Sequence, residues 1–127
     1  RAAVSENGVS NQVAVWANSD SGPEYCRAAL LGDPFTPEGV ERLWQQSPLR
    51  HVANVQTPLL MLQAEFDLRC PPQDNEQFFV ALRHLRRDVE YVLYPDESHV
   101  YASSGRPDRR IDRMGRVLAW FDRHLRA

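Results

Sequence analysis

Two strand-length runs, each followed by a segment with helical periodicity, restrict this chain to a mainly parallel α/β arrangement. The first run, Leu59 to Gln63, is mostly apolar and lies between Thr57-Pro58 and a polar loop. Such a run suits a central strand of a parallel sheet covered on both faces. Beyond Pro71-Pro72, Phe78, Phe79, Leu82 and Leu85 fall on one helical face, and Arg83, Arg86 and Arg87 fall mostly on the other. An amphipathic helix of about four turns is expected there. The second run, Val89 to Tyr94, alternates weakly and is rich in β-forming residues. A long closing helix opens at Gly105-Arg106-Pro107, with Ile111, Met114, Leu118, Phe121 and Leu125 on one apolar stripe. Phe78, Phe79, Trp120 and Phe121 are expected in the core.

Upstream, Arg1 to Ser5 reads as the end of a buried strand, turned by Asn7-Gly8. Val9 to Pro34 is irregular, with a short helix through Tyr25–Leu31 stopped by Gly32-Asp33-Pro34. Thr36-Pro37-Glu38 supplies a capping hydroxyl, a proline at the first helical position and an acidic first turn, so a helix is predicted from about Pro37 to Gln46.

At 127 residues the chain has room for one domain and one core. Its 15 basic and 17 acidic side chains argue against a nucleic-acid module. The run Arg106, Arg109, Arg110, Arg113 and Arg116 is interleaved with Asp108 and Asp112 and reads as a solvated helix face. The longest strongly apolar stretch, Pro58 to Leu62, is far short of the ~20 residues that span a bilayer. The first residue is Arg1, with no signal-like segment, and the chain is expected to begin inside something longer. Cys26 and Cys70 are expected to be free thiols in a reducing, cytoplasmic setting. No histidine or cysteine pair has the spacing of a structural zinc site, so no metal is expected. His84 and His124 lie among arginines and are expected to be solvated; His51 points to nothing.

Asp67 and His99 each follow one of the two strands, where parallel sheets carry their reactive groups. One strand-helix-strand crossover separates them, so their loops should be neighbours. An aspartate followed by a histidine in this order is the back half of a Ser-Asp-His relay. The histidine takes the nucleophile's proton and returns it to the leaving group, while the buried carboxylate fixes the imidazole tautomer. Two plainer alternatives stand beside this: Asp67 as a cap of the next helix, and His99 as a loop histidine bonded to a carbonyl. Cys70 raises a third, a Cys-His nucleophile pair with His99, although two prolines follow it. Ser98 is expected to be an ordinary loop hydroxyl.

The runs Ser47-Pro48-Leu49-Arg50, Asn54 to Leu60, Glu65-Phe66-Asp67-Leu68-Arg69-Cys70-Pro71 and Pro95-Asp96-Glu97-Ser98-His99 resemble the C-terminal catalytic domain of the prolyl oligopeptidase family. The acylaminoacyl-peptidase branch looks most similar, through the E-x-D-x-R-x-P turn, the Glu-Ser-His loop and the helix ending in Trp120-Phe121-Asp122. The resemblance implies the C-terminal portion of an α/β-hydrolase fold. It also implies a serine peptidase acting on peptides or acyl-peptides without metal or cofactor, with Asp67 and His99 as triad members and Arg69 and Pro71 as structural residues of the turn.

One departure is large. The family's nucleophile sits in a Gly-x-Ser-x-Gly elbow, and here the only Gly-x-Ser, Gly8-Val9-Ser10, has Gln12 where the second glycine belongs. The chain is therefore expected to start shortly after the elbow, to lack the oxyanion hole and to be inactive alone. A non-catalytic binding module is the alternative. Self-association through an exposed sheet edge is expected in either case.

Overall fold

The computed structural model describes residues 1–125. Three parallel strands, β1 (Ala3–Glu6), β2 (Leu59–Ala64) and β3 (Val89–Tyr94), lie side by side in the order β1-β2-β3. Leu59 stands opposite Ala3 on one side and Val89 on the other. Between β1 and β2 run α1 (Gln12–Asn18), α2 (Gly22–Tyr25) continuing into a π-helical turn (Cys26–Leu30), α3 (Pro37–Gln45) and a 3-10 segment (Pro48–Asn54). The helix α4 (Pro72–His84) joins β2 to β3, and α5 (Tyr101–Ser104) and α6 (Pro107–Leu125) follow β3. Among the described residues, no helix is long and apolar enough to cross a membrane.

Both faces of β2 are covered, as its continuous apolar run requires. Leu60, Leu62 and Ala64 pack with Tyr94, Tyr101 and Trp120 on one face. On the other, Met61 packs with Leu82 and Val89, backed by the half-buried Phe78 and Phe79. A third cluster, Val15, Cys26 and Leu43, sits among the helices of the first crossover. The cap at Thr36 forms as its sequence indicates, its hydroxyl accepting from the Gly39 N–H at 3.1 Å.

Three sequence expectations are corrected. The segment after β1 is not wholly irregular, because Asn11 caps α1, its side-chain oxygen accepting from the N–H groups of Val13 and Ala14. Propensity says little for that helix, whose β-branched valines are mediocre helix formers; burial of Val15 in the third cluster supports it instead.

The second correction concerns α6. Ile111 is 75% exposed and Leu118 61%, with Met114 and Leu125 also exposed, so of the apolar stripe Phe121 alone packs against the core and the rest faces away from the sheet. The inner line is Arg113, Val117, Trp120 and His124, whose spacing is equally helical but which contains two polar residues. Arg113 is held there by a forked ion pair with Glu6 of β1, at 2.6 and 2.8 Å. The third correction follows: His124 is not solvated. Its side chain is only 15% exposed, with the ring 4.3 Å from that of Trp120 and Nε2 3.7 Å from an Asp88 carboxylate oxygen.

Asp74, buried in the first turn of α4, ties that helix to the loop after β1. Its carboxylate accepts from the N–H groups of Ser10 and Asn11, and its carbonyl accepts from the Ser10 hydroxyl. Burial outweighs those donors and pushes the carboxyl up to about 6, from 3.8. The folded chain thus binds a proton at this site between roughly pH 4 and 6 that the unfolded chain does not. The charged, buried carboxylate costs stability above that window, and the cost is relieved as the pH falls through it. In urea unfolding, wild type is expected to gain stability relative to Asp74→Asn between pH 7 and pH 4.5. A difference independent of pH would remove Asp74 as the titrating group.

Candidate active site

The loops leaving the carboxyl ends of β2 and β3 are stitched together by backbone bonds. The Glu65 N–H donates to the Tyr94 carbonyl at 3.0 Å, and the Phe66 N–H to the Glu97 carbonyl at 2.8 Å. The Asp96 N–H donates to the Glu65 carboxylate at 3.0 Å. These bonds bring Asp67 and His99 together, as their positions after neighbouring strands predict.

Asp67 is fully buried and its two carboxylate oxygens have separate partners. Oδ1 accepts from the N–H groups of Arg69 and Cys70, at 2.9 and 2.8 Å, closing a tight local turn. Oδ2 lies 2.9 Å from Nδ1 of His99. Asp67 does not cap α4, whose cap position is Pro71 with no side-chain bond. An ionised carboxylate only accepts, so Nδ1 carries the imidazole proton and Nε2 keeps its lone pair. The His99 side chain is 42% exposed. The pair can therefore take a proton at Nε2 from an approaching hydroxyl and stabilise the resulting imidazolium.

Three supporting residues escaped sequence reasoning. Asn7, at the end of β1, donates through Nδ2 to the His99 carbonyl at 2.8 Å and accepts through Oδ1 from the Ala64 N–H at 3.0 Å. It sits in left-handed backbone, φ 44°, a conformation asparagine tolerates better than most residues. The Asn-Gly pair signalled the turn but not these long-range bonds. Gln63 is buried in β2 and donates to the carbonyls of Ala64 and Cys70, while its own oxygen accepts from Asn75. A glutamine closing an apolar run was the available signal. Glu97, also buried, accepts from the Arg106 N–H at 2.9 Å and so anchors the histidine loop to the start of α6. Gly105 permits that approach, since a Cβ there would stand 2.5 Å from the Glu97 carboxylate and 2.6 Å from the Tyr101 carbonyl.

On the other side, the Asp20 N–H donates to the Leu68 carbonyl, and the Asp20 carboxylate pairs with Arg69 at 2.6 Å. The guanidinium holds the Asp20 carboxyl below its usual range. Phe66, Leu68 and Val100 stand exposed beside the Asp-His pair. Cys70 is near it too, but burial, reinforced by Asp67 and Asp74, pushes its thiol up to about 11. That is the reverse of an activated nucleophile. The Ser98 carbonyl accepts from the Tyr101 N–H in the turn that opens α5, and His51 and His84 are exposed, on the 3-10 segment and at the end of α4. Among the described residues, Asp67, Cys70 and His99 form the one cluster whose ligating atoms converge closely enough for a metal ion, each within 4.8 Å of the others.

The family model described as the prolyl oligopeptidase family matches residues 1–127. The chain belongs to the prolyl oligopeptidase family. Among curated relatives, the uncharacterized peptidase YuxL of Bacillus subtilis is 40% identical over 125 residues, covering 98% of this chain and 19% of that protein. The acylaminoacyl peptidase of Pyrococcus horikoshii superposes with a TM-score of 0.90 at 29% identity, over 97% of this chain and 20% of that one. An acylaminoacyl peptidase in complex with Z-Gly-Gly-Phe-chloromethyl ketone gives 0.86 at 29% identity, over 94% and 19%. The chain thus spans about a fifth of the length of these relatives of the prolyl oligopeptidase family. Its parallel sheet with flanking helices is that of their α/β-hydrolase fold.

Proposed function

We propose that these residues are the closing part of a serine peptidase's α/β-hydrolase domain, supplying the aspartate and histidine of a Ser-Asp-His triad. The 2.9 Å bond between His99 Nδ1 and Asp67 Oδ2, at the carboxyl ends of adjacent parallel strands, carries this reading. The serine comes from a preceding segment, because residues 1–127 contain no Gly-x-Ser-x-Gly elbow. Nε2 of His99 accepts the serine proton as the hydroxyl attacks a carbonyl carbon. The imidazolium, held by Asp67, then gives that proton to the leaving amine. Water, deprotonated at the same nitrogen, releases the acyl group and restores the serine.

Peptides and acyl-peptides are the proposed substrates, in keeping with the acylaminoacyl peptidases and the peptide chloromethyl ketone complex among the similar structures. The longer polypeptide should hydrolyse an N-acyl amino-acid ester with saturable kinetics, and residues 1–127 alone should not. Saturable, His99-dependent hydrolysis by residues 1–127 alone would refute the division of the triad. The two unpaired cysteines fit a reducing compartment, and we place the enzyme in the cytoplasm.

Asn7 belongs to this reading as a positioning residue, fixing the main chain of His99. In the longer polypeptide, Asn7→Ala is expected to lower kcat roughly 10- to 100-fold with little change in KM, the scale set by small misplacements of a catalytic group. Asn7→Gly accepts the left-handed backbone but restores neither bond, so it should not recover the rate. Recovery with glycine would assign the loss to backbone strain.

Isolated, residues 1–127 should self-associate. The outer edge of β1 has no partner strand among the described residues, and the α6 stripe of Ile111, Met114 and Leu118 is exposed. A light-scattering mass equal to the monomer at micromolar concentration would count against this.

A further inference from the structure

We propose that Asp67, Cys70 and His99 form an inhibitory site for a soft divalent cation, zinc being the ion that fits, which silences the Asp-His pair by occupying Nδ1 of His99. The inhibitory consequence rests on the triad reading above; the binding itself does not.

One ligating atom from each residue lies within 4.8 Å of the other two, and Asp67 Oδ2 is only 2.9 Å from His99 Nδ1. A tetrahedral zinc, with bonds of about 2.3 Å to sulfur and 2.0–2.2 Å to nitrogen and oxygen, needs ligand separations of roughly 3.5 Å. Shifts of about 1 Å therefore close the site. They fall on a half-exposed imidazole and a half-buried thiol rather than on packed core. The carboxylate is already oriented, because Oδ1 keeps its two backbone donors, and Gln63 fixes the Cys70 carbonyl. Arg69, the cation nearest in the chain, is neutralised by Asp20. Sulfur with imidazole selects zinc over magnesium or calcium. No zinc motif is visible in the sequence because the fold, not a short spacing, brings His99 to the Asp67–Cys70 turn.

The consequence is a tautomer shift. A neutral imidazole holds one proton; when the ion takes the Nδ1 lone pair that proton resides on Nε2, and the base is lost. The Cys70 thiol gives its proton to solvent, so one proton leaves per ion bound, and water completes the coordination.

Cobalt(II) provides a readout independent of activity. Added to the longer polypeptide, it should develop a thiolate-to-cobalt absorption in the near ultraviolet that saturates at one ion and is bleached by zinc. The part of that band lost in both Cys70→Ser and Cys70→Ala reports the site, and His99→Gln should weaken cobalt binding at least tenfold. The zinc concentration halving ester hydrolysis should rise at least tenfold in Cys70→Ser. Absence of a Cys70-dependent band, or equal zinc inhibition of wild type and Cys70→Ser, would overturn the proposal. A polypeptide that binds cobalt through Cys70 and His99 but hydrolyses nothing would instead refute the peptidase reading and leave the metal site standing.

Discussion

Asp67→Asn is expected to lower kcat of the longer polypeptide by about 10³–10⁴-fold while leaving KM and the fold nearly unchanged. The substitution preserves shape. Its carbonyl oxygen can keep the bonds from the Arg69 and Cys70 N–H groups, which places the amide nitrogen against His99 Nδ1. That nitrogen is a donor, so Nδ1 must accept and the imidazole proton moves to Nε2, the atom that has to receive the serine proton. The wrong tautomer in a serine-protease triad costs about 10⁴-fold, which sets the scale. Steady-state kinetics on an acyl amino-acid ester, with circular dichroism to confirm folding, reads the effect. A loss below about tenfold would reduce Asp67 to a turn-forming residue.

Trp120→Ala is expected to cost about 3–5 kcal/mol of unfolding free energy, a large part of the total for a domain of this size. Trp120 is 2% exposed and joins α6 to Leu60 and Leu62 of β2. Truncation leaves a cavity that neighbouring side chains cannot fill, because the sheet is fixed by its hydrogen bonds. It also removes the surface on which the Arg123 guanidinium rests, 4.5 Å from the ring, and on which the His124 ring packs. Urea unfolding of wild type and Trp120→Ala measures the loss. A cost under 1 kcal/mol would mean that α6 is not held to the sheet through this residue.

The sheet and its connections were legible because β2 carries a continuous apolar run and α4 an unambiguous period, and these patterns follow from burial on two faces and on one. The Asp67–His99 pairing was legible for a topological reason, since residues that follow adjacent parallel strands end as neighbours. Apolar counting failed on α6. Two helical lines compete there, and the line with fewer apolar residues won because it contains Trp120 and an arginine that Glu6 neutralises. The bonds from Asn7 depend on partners distant in sequence, Asn7 reaching His99 across 92 positions and Ala64 across 57. No local window contains that information. The nearness of Cys70 to the Asp-His pair, by contrast, was legible, because it stands three residues after Asp67 in the same turn.

Fluorophosphonate labelling of the longer polypeptide, followed by peptide mapping of the modified residue, tests most directly whether Asp67 and His99 serve a serine. The label should fall on one serine preceding Arg1 and should disappear when His99 is replaced by alanine. A label on a residue within 1–127, or labelling indifferent to His99, would contradict a triad completed by these two side chains.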